Sequence, residues 1–434
     1  HLGFQLLDQQ VGPGVVRRRG ATAFEPPGDA GGPGAAEVAH RALDRMRLRD
    51  ERLIPVLPAA DQDRVGQRLG MARSVVHDRH LAADPLGDGE AVEQACRLPD
   101  HASAIDEALA RLVGEEGVLD SIEELAAVGF KAVHARSISG VVELNDDVVG
   151  RMEDFYPLAP AHNPAYVAAM RQFERVAPSA RRIGCFETAF HGTAPLRRQL
   201  YAVPYEWYEE YGVKRYGFHG ASHRYAAEKV IELEGRDDLR HVNMHLGGSS
   251  SLCMIKGGVS LGASHGLSPQ GGLPQNNRIG DLDPYALDLV MRNRGISFEE
   301  ALEICASQSG LLGICGHNDV RDIQEGAAAG DERCLLALDV LATAARDYLG
   351  AYAVEMGGLD VISFTGGIGE HSAMVRERIL RDLDFLGVQM DAEKNETVRG
   401  QGTLHAANSR VRIHVMVTDE ELVVARQTYE FIQQ

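Results

Sequence analysis

The hydrophobic and polar positions along the chain follow two periods, and segments of the two kinds alternate. Apolar residues recur at helical spacing in residues 101–114. Residues 127–135, AVGFKAVHA, have the apolar run of a strand. Residues 163–176 predict a helix, with Asn163 as its N-cap and Pro164 at its first position. Strand-like and helical segments continue in turn to the end of the chain, which predicts an α/β fold.

The first 95 residues follow a different pattern. Their only aromatic residues are Phe4 and Phe24, and they contain no lysine. Residues 28–37 are rich in glycine, alanine and proline and predict a loop. Only residues 54–58, IPVLP, predict a strand. Because bulky apolar residues are scarce here, we interpret this stretch as an inserted, poorly ordered or wrongly translated segment rather than a domain.

Composition narrows the class of protein. A chain of 434 residues predicts about two domains. The apolar content of 44%, without a run long enough to span a bilayer, predicts a soluble protein without a signal peptide. A net charge of −19 argues against nucleic-acid binding and for the cytoplasm. The six cysteines have no CxxC spacing, so we expect free thiols.

Three glycine-rich turns have the chemistry of phosphate sites, where glycine permits close backbone approach. They lie in residues 245–258 (HLGGSSSLCMIKGG), 309–322 (SGLLGICGHNDVRD) and 361–372 (VISFTGGIGEHS). The last has a strand before the turn and a helix after it, which is the geometry of an anion site. Taken one at a time, the first turn is equally consistent with a plain β-hairpin, and the last with a nonspecific strand–helix turn.

Polar residues suited to acid–base and charge-stabilising roles lie between these turns. His219 and His223 have the spacing of a metal pair on a helix, although Gly220 argues against one regular helix there. Arg278 lies in a loop of glycines and asparagines, where it is suited to bind a transferring phosphoryl group. Thr418 and Glu421 are spaced as a capping box. For each histidine alone, a structural role is the alternative.

In order along the chain, these segments resemble the acetate kinase family. The resemblance covers residues 128–429 and rests on APAHNP, FETAFH, RYGFHGASHRY, HLGGSSSL, the GLSP…RIGDLDP block, SGLLGI, FTGGIGE and TDEELVVAR. It implies an α/β, two-domain, actin-like ATPase (ribonuclease H-like) fold with a nucleotide cleft between the domains. Members transfer the γ-phosphate of Mg-ATP to acetate and are typically homodimers. Residues 96–186 with 422–434 would form the first domain and residues 187–421 the second.

The resemblance also implies roles for individual residues. Catalytic roles fall on Arg278, His219, His245 and Glu187. Nucleotide contacts fall on Gly247, Gly248, Ser249, Asp319, Arg321, Gly366, Gly367, Gly369 and Glu370. The pocket for the carboxylic acid falls on Lys131, Val133, His162, Phe218 and Pro269, and the magnesium ligand on Glu420. ATP and Mg²⁺ are therefore the expected nucleotide and cofactor.

Several positions depart from the family's pattern. Lys131 replaces an arginine, which keeps the charge but loses the bidentate fork, and Arg136 is a substitute that we consider. Glu187 replaces an aspartate. Ala161 replaces a leucine, which predicts room for an acid larger than acetate. QNNR stands before the GD pair where the family has MGTR.

The start of the chain departs most. The family opens with an Asn-x-Gly-Ser hairpin that binds phosphate, and residues 1–8, HLGFQLLD, resemble only its tail, with Gly3 in place of lysine. Residues 9–95 resemble nothing in the family. Three hypotheses therefore remain: a carboxylate kinase, a catalytically impaired nucleotide-binding or regulatory relative, and a different kinase of the superfamily such as a sugar kinase.

Overall fold

The computed structural model describes residues 119–156 and 162–434 in full. From the earlier part of the chain it describes residues 13–17, 53–55, 79–83, 92–96, 105–106, 109–110 and 113. The predictions for residues 1–8, for the loop at residues 28–37 and for Ala161 lie outside the described residues.

The strands form two larger sheets and one pair. They are β1 Pro13–Arg17, β2 Leu53–Pro55, β3 Arg79–Ala83, β4 Val92–Cys96, β5 Leu125–Ala132, β6 Val141–Glu143, β7 Arg181–Phe186, β8 Arg240–Leu246, β9 Ser250–Lys256, β10 Val259–Ala263, β11 Val361–Thr365, β12 Gly402–Thr403 and β13 Arg412–Val415. The first sheet has the order β2-β1-β5-β7-β6, and the second has the order β10-β9-β8-β11-β13-β12. Strands β3 and β4 pair with each other.

The second sheet combines an antiparallel meander with parallel strands. Strands β8, β9 and β10 pair antiparallel in sequence, and β8, β11 and β13 lie parallel. The first sheet has the parallel pair β5 and β7, but β1 lies antiparallel to β5. Strands β1 and β2 come from the first 95 residues, for which the sequence had predicted only one strand, so that part of the chain contributes more to the sheet than its composition indicated.

Several of the helices pack on these sheets and others pack on neighbouring helices. The helices are α1 Asp146–Asp154, α2 Asn163–Val176, α3 Leu196–Gln199, α4 Tyr205–Tyr211, α5 Gly220–Glu234, α6 Tyr285–Arg294, α7 Phe298–Ser307, α8 Gly310–Cys315, α9 Val320–Ala328, α10 Glu332–Met356, α11 Gly366–His371, α12 Ala373–Leu380, α13 Ala392–Thr397 and α14 Glu420–Gln433. Short 3₁₀ turns occupy Ile122–Glu124, Ala189–Thr193 and Asp384–Leu386. Among the described residues, no helix is both long and apolar enough to cross a membrane.

Each sheet has its own hydrophobic core. The larger core joins β8, β9, β11 and β13 to the long helix α10, whose inner face buries Leu338, Leu341, Leu349 and Tyr352. The other core joins β5 to α1 and α2 through Phe130, which meets Phe173 edge to face at 5.5 Å. The C-terminal helix α14 returns to the first sheet, where it packs on β1, β5 and β7.

Two helix starts differ from the prediction. Asn163 does not cap α2. It is buried and donates hydrogen bonds to the carbonyl oxygens of His134 and Met152, both at 2.8 Å. The capping box predicted for Thr418 and Glu421 is also wrong, because Asp419 is the N-cap of α14 and accepts from the Leu422 N–H at 2.9 Å. Thr418 and Asp419 are adjacent, and threonine and aspartate both favour the N-cap position. Spacing alone therefore could not show which of the two caps α14.

Candidate active site

The carboxylate of Glu187 lies where strand β7 meets the start of helix α5. Glu187 follows the strand directly, is 4% exposed, and accepts hydrogen bonds from the backbone N–H groups of Gly220 and Ala221. Helix N-termini present such unpaired N–H groups and favour negative charge. A Cβ on Gly220 would lie 2.1 Å from the Glu187 carbonyl oxygen, so only glycine permits this close approach.

Glu187 lies near two other charged side chains from distant parts of the chain, Lys131 and Glu420. Lys131, near the end of β5, forms an ion pair with Glu420 at the start of α14. Burial lowers the pKa of Lys131, but attraction by Glu420 and then by Glu187 outweighs it and raises that pKa well above its ordinary value. Burial also raises the pKa of Glu187 to about 7, against the opposing attraction of Lys131. Lys131 therefore stays protonated at neutral pH, whereas the pKa of the Glu187 carboxyl lies near 7.

His219 and His245 stack against each other, with their ring centroids 4.1 Å apart. His219 immediately precedes α5 and has a left-handed backbone with φ 56°, which is uncommon for a residue with a side chain. His245 lies near the end of β8, and its Nδ1 is 2.7 Å from the Ser222 hydroxyl. Burial, and then the neighbouring histidines, hold the pKa of His219 well below its ordinary value. Burial also lowers the pKa of His245 to about 4, so both rings are neutral at pH 7.

Two of the glycine-rich turns meet at His245. The first turn follows β8, and a Cβ on Gly247 would lie 3.7 Å from the His245 Nε2. The other turn opens helix α11, where Gly366 has φ 77° and where its Cβ would lie 3.3 Å from the same nitrogen and 2.6 Å from the Leu246 carbonyl oxygen. Gly367 follows in α11 and Gly248 in the first turn. The strand predicted in residues 361–372 is confirmed as β11, and the helix predicted after the glycines is α12. Residues 366–369 are the first turn of helix α11 rather than a separate turn.

Arg278 joins the first turn through its side chain. One guanidinium nitrogen, Nη1, donates to the Ser249 hydroxyl at 3.2 Å and to the Gln275 side-chain oxygen at 3.3 Å. The loop before it packs on the same turn, because the Asn276 N–H donates to the Gly248 carbonyl oxygen at 3.3 Å. Arg278 thus lies beside the glycines and serines that the sequence assigned to phosphate.

The five residues predicted for the acid pocket come from four separate segments. His162 is buried, and burial, then Arg278 and Lys131, lower its pKa well below the ordinary value, which shows that both cations are near. Val133 is 4% and Phe218 2% exposed. The Pro269 carbonyl oxygen accepts from the Gln275 side chain at 2.7 Å. Gln275 therefore links Pro269 to Arg278, and His162 lies near Arg278 and Lys131.

The predicted turn at residues 309–322 lies beside the one at residues 361–372. Asp319 caps α9, and Arg321 forms an ion pair with it at 2.7 Å. Helix α9 reaches the end of the Gly366 turn through Gln324, whose side-chain oxygen accepts from the Ser372 hydroxyl at 2.6 Å. Arg321 is 67% exposed at the surface of this region.

Gly369 and Glu370, which the sequence assigned to nucleotide, use their carbonyl oxygens within the fold. Both accept hydrogen bonds from Nη1 of Arg376, at 2.9 and 3.0 Å. Arg376 is 1% exposed and also donates twice to Asn395, at 2.8 Å each. The sequence analysis missed Arg376 because nothing in the amphipathic pattern of α12 distinguishes a buried arginine from a solvated one.

Other residues near the site were also missed or differ from the hypothesis. His265 is buried with its ring 5.0 Å from that of His219 and 5.8 Å from that of Phe218. The only feature of the sequence that could have pointed to His265 as a site residue is its position directly before the GLSP block. Arg136, considered as a substitute for the family's arginine, is exposed and donates to the Glu210 carbonyl oxygen at 2.5 Å. His223 has no place in a metal pair with His219, because its two ring nitrogens bond to Asn243 and Ser251.

The donor set fits Mg²⁺, which is bound through one or two carboxylates and the oxygens of phosphate and water. Glu420 is 15% exposed and lies beside Glu421, whose pKa burial and then repulsion by Glu420 raise to about 6. A surplus of carboxylates over cations favours a divalent ion here. No cluster of three metal-ligating side chains occurs among the described residues, so phosphate and water would have to complete the shell.

Comparison with known proteins shows which family this chain resembles. Residues 63–426 match the Acetokinase family. The acetate kinase of Carboxydothermus hydrogenoformans is 39% identical over 347 residues, which cover 79% of this chain and 87% of that protein. The crystal structure of Porphyromonas gingivalis acetate kinase matches with a TM-score of 0.72 at 35% identity, over 83% of this chain and 95% of that one. A propionate kinase from Francisella tularensis matches with a TM-score of 0.72 at 32% identity, over 78% and 87%.

These matches confirm the family resemblance and the two-domain, actin-like α/β fold. They correct one boundary, because the family match begins at residue 63, whereas the sequence analysis placed nothing of the family in residues 9–95. The match to the family covers most of the chain and includes each segment that carries a predicted site residue. This chain belongs to the acetokinase family.

Proposed function

We propose that this chain transfers the γ-phosphate of Mg-ATP to the carboxylate of a short-chain acid, and that the residues gathered around His219 and His245 perform the transfer. Membership of the family supports a phosphotransferase with a carboxylate acceptor, ATP as donor and Mg²⁺ as cofactor. The observation that carries the proposal for the site is the stacked histidine pair between two glycine turns, with Arg278 and the Lys131–Glu420 pair beside it.

In the proposed reaction, a carboxylate oxygen of the acid bonds to the γ-phosphorus while the bond to the ADP oxygen breaks. Both reactants are anionic, so catalysis depends on positioning and on neutralising charge. Arg278 would bind the phosphoryl group in transfer, and His219 and His245 would donate hydrogen bonds to its oxygens. Mg²⁺, bound by Glu420, would neutralise charge on the nucleotide phosphates. Glu187, for which the resemblance implies a catalytic role, would also hold the start of α5 in place.

The nucleotide would lie along the glycine turns. We assign its phosphates to Gly247, Gly248, Ser249, Gly366 and Gly367, its remaining contacts to Asp319, Arg321, Gly369 and Glu370, and the acid to the pocket of Lys131, Val133, His162, Phe218 and Pro269. Residues 96–186 with 422–434 and residues 187–421 would be the two domains that close over these substrates. The return of α14 to the first sheet supports this division.

The acid is proposed to be acetate or a somewhat larger acid. Trapping the acyl phosphate with hydroxylamine, with acetate, propionate and butyrate compared at equal concentrations, tests the acceptor. We expect product from at least one acid, and a kcat/KM for propionate no lower than for acetate. If ATP binds with no product from any of the three acids, the enzyme proposal fails and the regulatory alternative replaces it.

We also propose that the protein is a cytoplasmic homodimer. Large apolar side chains exposed on α4 and α6, among them Tyr205, Tyr211, Tyr285 and Leu289, support an interface between copies. Analytical ultracentrifugation should give a mass near twice 47.1 kDa. A Tyr285→Glu, Leu289→Glu double variant should sediment as a monomer if α6 lies in the interface.

A further inference from the structure

A continuous series of buried hydrogen bonds begins behind His219 and crosses the second sheet. The Nδ1 of His219 is 2.8 Å from the Ser251 hydroxyl on β9. The same hydroxyl is 2.8 Å from the His223 Nε2 on α5. The His223 Nδ1 is 2.8 Å from the Asn243 side-chain nitrogen on β8. We call this series, with its continuation, the histidine relay.

The relay continues to the far side of the parallel strands. The Ser363 hydroxyl on β11 donates to the Asn243 side-chain oxygen at 2.6 Å, and the His241 Nε2 lies 2.6 Å from the Ser363 hydroxyl. His241, Ser363, Asn243, His223 and Ser251 are each at most 1% exposed, and His219 is 7% exposed. Buried polar groups of this kind need a partner for every donor, so the direction of each bond is constrained.

Asn243 sets that direction, because an amide nitrogen only donates and an amide oxygen only accepts. Its nitrogen faces His223, so the His223 Nδ1 accepts and the single proton of that neutral ring lies on Nε2. That proton is donated to Ser251. The Ser251 O–H then has the His219 Nδ1 as its acceptor. A neutral His219 whose Nδ1 accepts must carry its own proton on Nε2.

We propose that Ser251, His223 and Asn243 are positioning residues that hold His219 in the tautomer with its proton on Nε2, so that His219 donates to the phosphoryl oxygens. This inference rests on the proposed function for its catalytic consequence, but not for the tautomer itself. An acceptor nitrogen in the same place would repel an anionic phosphoryl group, whereas an N–H stabilises the charge that develops on it. Ser251, His223 and Asn243 would thus affect the reaction through His219.

His245 has a shorter anchor, which Thr365 links to the relay, because the Thr365 hydroxyl is 3.4 Å from the Ser222 hydroxyl and accepts from the Asn243 side-chain nitrogen at 3.4 Å. The His245 Nδ1 bonds to the Ser222 hydroxyl at 2.7 Å, and its Nε2 faces the Gly366 turn. Ser251 bonds directly to the His219 Nδ1 at 2.8 Å, whereas the links through Thr365 to His245 are long. A change at Ser251 should therefore reach His219 more strongly than His245.

The tautomer is measured on the whole protein with ¹⁵N-labelled histidine, in NMR spectra that distinguish Nδ1–H from Nε2–H. His219→Gln identifies its signal. We expect the His219 proton on Nε2 from pH 6 to pH 8. A proton on Nδ1 in the wild-type protein would overturn the proposal, whether or not the protein forms acyl phosphate.

The catalytic consequence is tested with Ser251→Ala, which removes the donor to His219. One lost hydrogen bond predicts a fall in kcat of about tenfold, with each KM changed less than twofold. Ser260→Ala is the matched control, because Ser260 is equally buried and bonds to His191 at 2.9 Å outside the relay. Ser363→Ala should give a smaller fall in kcat. An unchanged kcat together with an unchanged His219 signal in Ser251→Ala would overturn the proposal. If the wild-type protein forms no acyl phosphate, the proposed function fails while the NMR test still decides the tautomer.

Discussion

Replacing Glu187 by glutamine should change how the stability of the protein depends on pH. Glu187 is buried at the start of α5, and only part of its carboxylate is satisfied. The N–H groups of Gly220 and Ala221 bond to it, but among the described residues Oε2 has no hydrogen-bond partner. Burial raises the pKa of this carboxyl from 4.5 to about 7, while Lys131 opposes the rise. The folded protein therefore retains the proton to a higher pH than the unfolded chain.

The sign and size follow from this difference. Between pH 4.5 and pH 7 the folded state binds more protons than the unfolded state, so the free energy of unfolding falls as pH rises. A shift of some 2.5 pKa units corresponds to a loss of about 3 kcal/mol, complete above pH 7. Glutamine cannot ionise, so Glu187→Gln should lack this loss. It should carry instead a pH-independent cost from burying an amide N–H without a partner.

Urea unfolding at intervals from pH 4.5 to pH 8 measures the effect. The free energy of unfolding of Glu187→Gln, minus that of the wild type, should rise by about 3 kcal/mol between pH 4.5 and pH 7.5. The same change at an exposed carboxylate, Glu393→Gln on α13, is the control for a general change of charge. A difference between Glu187→Gln and wild type that stays constant across this range would refute the reasoning.

Three further substitutions test other contacts. Gly220→Ala places a Cβ 2.1 Å from the Glu187 carbonyl oxygen, so we expect a lower Tm and, because His219 precedes this residue, a fall in kcat. Gly150→Ala within α1, where a Cβ would meet open space, is the control and should not lower the Tm. Arg376→Met removes the guanidinium that donates to the carbonyl oxygens of Gly369, Glu370 and Asn395. We expect the free energy of unfolding in urea to fall by at least about 3 kcal/mol and the KM for ATP to rise. An unchanged KM would show that Arg376 does not shape the Gly366 turn. Lys131→Arg restores the planar guanidinium that binds a carboxylate through two hydrogen bonds, so it should lower the KM for the acid about fivefold. Lys131→Ala should raise that KM. An equal KM in the wild type and both variants would show that Lys131 does not contact the acid.

The sequence predicted elements and local turns better than it predicted their partners. The strand and helix around Gly366 were correct because glycine punctuation and apolar period agree there. The pairing of Lys131 with Glu420 joins residues 289 positions apart, and no local pattern encodes such a contact. Asn163 looked like a cap because asparagine favours that position, but burial gave it two carbonyl partners instead. The first sheet shows the same limit, since β1 comes from a segment whose composition indicated no domain.

Among the candidate site residues, too, some were predicted from local motifs and others were not. His219, His245 and Arg278 were identified from motifs, because each lies in a short segment with a recognisable order. The relay behind His219 was not, since Ser251, Asn243 and Ser363 are ordinary strand residues whose meaning depends on the register of β8, β9 and β11. Parallel pairing places Ser363 opposite Asn243, and antiparallel pairing places Ser251 opposite His245. Only the assembled sheet brings these side chains together.

The most direct measurement of the central claim is a ³¹P NMR spectrum of the purified protein with Mg-ATP and a short-chain acid. We expect a new acyl phosphate resonance to grow together with the resonances of ADP, and Arg278→Ala to reduce its rate at least a hundredfold. The spectrum of Arg321→Ala, in which an exposed arginine is replaced, should show product with kcat reduced far less. ATP resonances that stay unchanged with every acid, or an Arg278→Ala variant as fast as the wild type, would contradict the account.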